Sequence, residues 1–145
     1  MKPTEARLDL KHFYRAPRET VYQAWTRPEL IKQWFAPGDM TTPFAEVDLR
    51  VGGRYRIQMK KPDGETHTTT GLYKEIVPNQ RLVFTWGWEG PDRFETLVTV
   101  EFRETDGGTE LLLTHERFTD TGSRDMHREG WEGCLASLER RLAKA

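Results

Sequence analysis

Four histidines, His12, His67, His115 and His127, and a single cysteine, Cys134, are the first residues to test for chemistry. No histidine stands at metal-ligand spacing from another or from Cys134, and neither a His-Glu-x-x-His nor a paired-cysteine motif occurs. Ser123 and Ser137 have no base beside them, and no Gly-x-Ser-x-Gly elbow is present. Gly52-Gly53 and Gly107-Gly108 read as turns, not as a phosphate loop. No metal and no cofactor are therefore expected, and no catalytic set is evident.

His115 is the titratable residue of most interest, because strict alternation puts it on one face with Leu111 and Leu113. In an apolar pocket it would be a polar anchor or a general base, held neutral because burial disfavours the imidazolium. It would serve equally as a core histidine with its hydrogen bonds satisfied. Glu75 shares a strand face with Gly71 and Tyr73, where it would meet Arg54, Arg56 or a ligand, or form an ion pair at the rim. Tyr55 and Tyr73 each join an apolar ring to a hydroxyl suited to orienting a ligand. Trp34-Phe35, ahead of Pro37, would gate one end of a groove or staple two helices to a sheet. Cys134 reads as a small buried filler.

These residues need elements to hold them. Ala6–Tyr14 alternates well enough for a first strand. Pro17 then opens a short helix carrying Val21, Tyr22, Ala24 and Trp25. Thr26 is placed to cap a second short helix, with Pro28 and Glu29 in its first turn and Leu30, Ile31 and Trp34 on its stripe. Pro37-Gly38 ends that pair. From Phe44 the period becomes two, giving strands over 44–49, 54–59, 66–76, 81–88, 94–102 and 109–118. Pro62-Asp63-Gly64, Pro78-Asn79, Glu89-Gly90-Pro91-Asp92 and Asp106-Gly107-Gly108 supply the turns. Beyond Thr121 no proline occurs, and Met126, Gly130, Trp131, Cys134, Leu135, Leu138 and Leu142 recur at helical steps.

The expected class is α+β: a curved antiparallel sheet of about seven strands, two short helices after the first, and a long C-terminal helix across the hollow. Large rings do not interdigitate as closely as branched aliphatics between a bent sheet and a straight helix, so a gap is expected over the middle of the sheet. Its predicted wall takes Tyr55, Ile57, Tyr73, Glu75, Phe84, Trp86, Val98, Val100, Leu113 and His115 from the sheet. Met126, Trp131 and Leu135 come from the last helix, and Trp34 and Phe35 close one end.

Composition removes several partners. The chain has 145 residues, 36% hydrophobic and 31% charged, and 22 basic against 23 acidic side chains leave a net charge of −1. That balance offers no footprint for nucleic acid. No apolar stretch is long enough to span a membrane. The lone cysteine and an N-terminus without a signal-peptide pattern point to the cytoplasm. No linker or composition shift divides the chain, so one domain over 1–145 is expected.

The residues from Ala16-Pro17-Arg18-Glu19-Thr20-Val21 through Trp25-Thr26-Arg27-Pro28-Glu29-Leu30 to Trp34 resemble the opening signature of the START-like (SRPBCC, Bet v-like) superfamily. Gly52-Gly53-Arg54-Tyr55, Gly71, Tyr73, Arg81-Leu82-Val83-Phe84-Thr85-Trp86, Thr114-His115-Glu116 and Gly130-Trp131 extend the likeness along nearly the whole chain. They resemble in particular the bacterial branch related to the activator of heat-shock protein ATPase. The resemblance implies a helix-grip fold, and members of the superfamily bind lipids, hormones, polyketides or chaperone partners, while some are cyclases. A small hydrophobic ligand is the leading expectation. The alternatives are a cyclase- or hydrolase-like enzyme using His115 or Glu75, and a chaperone-interacting module. A homodimer through sheet edges or exposed tryptophans such as Trp88 also stays open.

Overall fold

The computed structural model describes residues 6–36, 38–90 and 95–143. Pro37, the expected stop of the helical pair, and Pro91, Asp92 and Phe94, of the expected loop and strand start, lie outside the described residues. The elements run β1 (Ala6–Tyr14), α1 (Arg18–Thr26), α2 (Pro28–Trp34), β2 (Thr41–Val47), β3 (Arg54–Lys60), β4 (Thr66–Val77), β5 (Arg81–Trp88), β6 (Thr96–Thr105), β7 (Gly108–Phe118) and α3 (Thr121–Ala143). The strands make one 7-stranded antiparallel sheet in the order β1-β7-β6-β5-β4-β3-β2, curved around α3. This is the α+β helix-grip architecture. Sequential hairpins build β2 to β7, and the two short helices carry the chain across so that β1 closes beside β7.

Local chemistry accounts for where elements start and stop. Gly64 and Gly107 adopt positive φ in the β3–β4 and β6–β7 hairpin turns, and Asn79 does so between β4 and β5. Thr26 does not cap α2. Its hydroxyl donates back to the Tyr22 carbonyl at 3.0 Å, and Arg27 takes the cap position with Pro28 after it. Strand β2 begins at Thr41, earlier than the apolar pattern indicated, and ends at Val47. The ring of Phe44 points outward, where the Arg56 guanidinium lies 5.7 Å from its centroid. Asp120 starts α3 by accepting the Ser123 N–H at 2.6 Å.

Helix α3 has 23 residues, about 34 Å of rod. Its apolar stripe buries Trp131, Cys134, Leu135 and Leu138. The rod does not lie over the middle of the hollow. It leans toward β1, with α2 and β7 beside it. Tyr14 fastens that side by donating to the Leu135 carbonyl at 2.9 Å. Helices α1 and α2 then fill the centre: Trp34 donates its indole N–H to the Ala24 carbonyl at 2.8 Å, Trp25 stacks 5.7 Å from Trp131, and Phe35 meets Trp131 edge-on. Among the described residues, no helix is long and apolar enough to cross a membrane.

Candidate functional site

The offset of α3 leaves a hollow of about 480 Å³ at one end of the grip, between the first half of α3 and the ends of β3, β4 and β5. Its sheet wall is Met59, His67, Trp86 and Trp88, with Lys61 from the adjoining turn. Met126, His127, Gly130, Trp131 and Cys134 form the helix wall, and Phe35 and Met40 close the side toward α2. Every methionine after Met1 and the lone cysteine thus stand in this wall. Gly130 is there for a visible reason: a Cβ added to it would meet nothing within 4 Å, because its face of the helix borders empty space.

Two tryptophan–histidine pairs hold the helix wall to the sheet. Trp131 donates its indole N–H to His115 Nδ1 at 3.0 Å. Nδ1 must then be the acceptor, so Nε2 carries the proton and donates to Thr96 Oγ1 at 2.7 Å. The Thr96 hydroxyl passes its own hydrogen to the Trp86 carbonyl at 3.1 Å. The relay is complete and fixes one tautomer. Burial, and after it the neighbouring His127, push the His115 pKa down to about 2. The second pair stands in the wall itself: Trp88 donates to His127 Nε2 at 3.1 Å, and His127 Nδ1 donates to the Ser123 carbonyl at 2.8 Å. Burial lowers the His127 pKa, against the opposing pull of the Ser123 carbonyl. Cys134 is buried beside them, and desolvation raises its thiol to about 12.

The residues singled out from sequence fall into groups. Phe35, Trp86, Met126 and Trp131 line the hollow. Tyr55, Ile57, Tyr73 and Phe84 surround a crevice of only about 20 Å³ that Trp25, Ile31 and Phe35 close from above. The middle of the sheet, where the gap was expected, is therefore filled by α1 and α2, and the opening lies at the end. Trp34, Val98, Val100, Leu113 and Leu135 are buried in the core. His115 is also fully buried, with both ring nitrogens engaged. Glu75 faces outward, paired with Arg81 at 2.8 Å, because a bulge between Tyr73 and Glu75 reverses the alternation of β4.

Sequence reading passed over Met40, Met59, Lys61, His67, Trp88, His127, Gly130 and Cys134 as wall residues. Several had a usable signal. Met59 continues the alternation of Tyr55 and Ile57, Trp88 continues that of Phe84 and Trp86, and His127, Gly130, Trp131 and Cys134 share one helical face. His67 alternates with Thr69, Gly71 and Tyr73 along β4 and stands opposite Met59, so it carried the same signal, whereas Met40 and Lys61, outside the strands, had no period to follow.

Residues 15–143 match the family described as Activator of Hsp90 ATPase homolog 1-like protein. The chain belongs to that family. Solved structures of similar chains agree along almost the full length. A protein from Rhizobium leguminosarum is 31% identical, covers 98% of this chain and 97% of its own, and superposes with a TM-score of 0.81. The AHSA1 protein from Silicibacter pomeroyi is 27% identical over 95% of this chain and 98% of its own, with a TM-score of 0.85. An AHSA1-like protein from Aeromonas hydrophila is 26% identical over 96% and 93%, with a TM-score of 0.80. No match is found among curated proteins. The family is consistent with the START-like superfamily, and its shared feature here is the helix-grip domain.

Proposed function

We propose that this protein binds a small hydrophobic molecule in the hollow at the end of the grip. The observation that carries the reading is an aromatic and thioether wall around about 480 Å³, bordered by a mid-helix glycine whose side is open. Small-molecule sites occupy roughly 300–1,000 Å³ and are mostly apolar with a few polar groups. Glycine inside a helix costs about 1 kcal/mol relative to alanine. Its presence at Gly130 is the local choice that keeps the hollow wide. Flexible, polarizable methionines let one site adapt to the shape of its guest.

Neither His115 nor Glu75 is among the residues lining the hollow, which favours binding over an acid–base reading built on them. Among the described residues, the ionisable groups on the wall are Lys61, His67, His127 and Cys134, and His127 is held as a neutral acceptor by Trp88.

The test uses N-phenyl-1-naphthylamine, an uncharged apolar fluorophore, titrated into the wild-type chain and into Gly130→Leu and Gly130→Phe. Saturable binding by wild type, weakened by Leu and abolished by Phe while the thermal midpoint holds, is expected. Absence of binding, or equal binding by all three, refutes the reading.

A further inference from the structure

The wall residues differ from the rest of the molecule in one respect. The chain holds 23 acidic residues against 22 basic, yet among the described residues no aspartate or glutamate lines the hollow. Its charged or chargeable nitrogen groups, among the described residues, are Lys61, His67 and His127. These are not spread evenly. The deep wall of Phe35, Trp86, Trp131 and Cys134 is almost fully buried, whereas the side chains of Lys61 and His67 are 44% and 40% exposed, at the hairpin end of β3 and β4. His127 is part-buried and accepts the Trp88 N–H, so it offers no cation. Polarity thus rises in one direction, from apolar depth to a basic mouth.

The mouth already shows what it takes. Lys61 Nζ lies 3.5 Å from one oxygen of Glu65, and His67 Nε2 lies 3.1 Å from the other. A single carboxylate therefore spans both groups. Glu65 is itself about half exposed. A surface pair of that kind contributes only about 0–1 kcal/mol, so a guest's anion can displace it at little cost. An anion tethered to a body already held in the hollow has the further advantage of high effective concentration.

Resting on the binding reading above, we infer that the guest is an anionic amphiphile, its apolar body against the tryptophan and methionine walls and its acidic head on Lys61 and His67. The same head chemistry is offered by a carboxylate and by a phosphate monoester. Either one would leave its charge at the half-exposed mouth, where desolvation is partial.

The experiment compares two fluorophores that share a body: 8-anilinonaphthalene-1-sulfonate, which is anionic, and N-phenyl-1-naphthylamine, which is not. Wild type should bind the anionic probe about tenfold tighter, the value of one charge-assisted hydrogen bond. Raising the salt concentration should shrink that preference. Lys61→Met keeps the apolar stem, and it should bring the ratio of the two affinities toward one, with the neutral probe reporting any change in the hollow itself. Lys61→Gln, with its own thermal midpoint, serves if the first variant unfolds. Displacement of the probe by dodecanoate and by dodecyl phosphate, with dodecanol as the uncharged control, tells the two head types apart. Equal affinity for both probes in wild type, or a preference that survives at Lys61→Met and Lys61→Gln alike, overturns the inference and leaves the apolar site standing. Failure of both probes to bind removes the site and the inference together.

Discussion

Acid should loosen this fold through His115, and by a calculable amount. The imidazole is completely buried, and its Nδ1 accepts a proton from the Trp131 indole. Burial, and after it the neighbouring His127, disfavours the imidazolium and lowers the folded pKa from 6.5 to about 2. In the unfolded chain the ring titrates near its ordinary value. Between these two values the unfolded state holds one proton more than the folded state, so stability is fully present above about pH 6.5 and is lost as pH falls. The slope is about 1.4 kcal/mol per pH unit, or roughly 2.7 kcal/mol over two units. Domains of this kind are stable by only about 5–15 kcal/mol in total. The assay is urea unfolding at pH 7.5, 6.5, 5.5 and 4.5 for wild type and His115→Gln, which keeps an acceptor and a donor without titrating. The variant should be less stable at pH 7.5, and the gap should narrow by about 1.4 kcal/mol per unit below pH 6.5. His127, its ring centroid 5.2 Å from that of His115, is present in both proteins and largely cancels in the difference. Parallel stability curves would show that burial of this ring does not set its protonation, and the relay through Thr96 would lose its support.

Gly130→Ala should raise stability by about 1 kcal/mol, a gain of about 3 °C in Tm by calorimetry, because helix propensity improves and the new methyl meets open space. A lower Tm would mean that the helix wall is crowded there. Gly71→Ala should do the opposite and cost about 1–3 kcal/mol or more in urea unfolding. The added Cβ would stand 1.9 Å from the Thr85 carbonyl oxygen and 2.8 Å from the Tyr55 ring, so β4 must shift; a neutral result would refute the close approach. Cys134, with its thiol pushed up to about 12, should resist a disulfide reagent at neutral pH and react promptly in urea. Fast labelling of the folded protein would contradict its burial.

Much of the architecture was written in the order of residue types. Alternation between Arg54 and Phe118, broken by Asp63-Gly64, Pro78-Asn79 and Asp106-Gly107, determines a meander of strands, because period two and turn chemistry are local properties. The stripe from Trp131 to Leu142 determines a long helix with one apolar face for the same reason. Local patterns could say which face of each element is buried, and His115 was placed inside on that basis alone. They could not say against what. Its partners, Thr96 and Trp131, are 19 and 16 residues away in sequence, and only the closed sheet brings them to the two ring nitrogens. Glu75 escaped the alternation rule because one bulge shifts everything after it to the other face. The position of the hollow was a tertiary decision too. It follows from α3 leaning on β1 while α1 and α2 fill the centre, a competition among packed bodies that no single segment encodes.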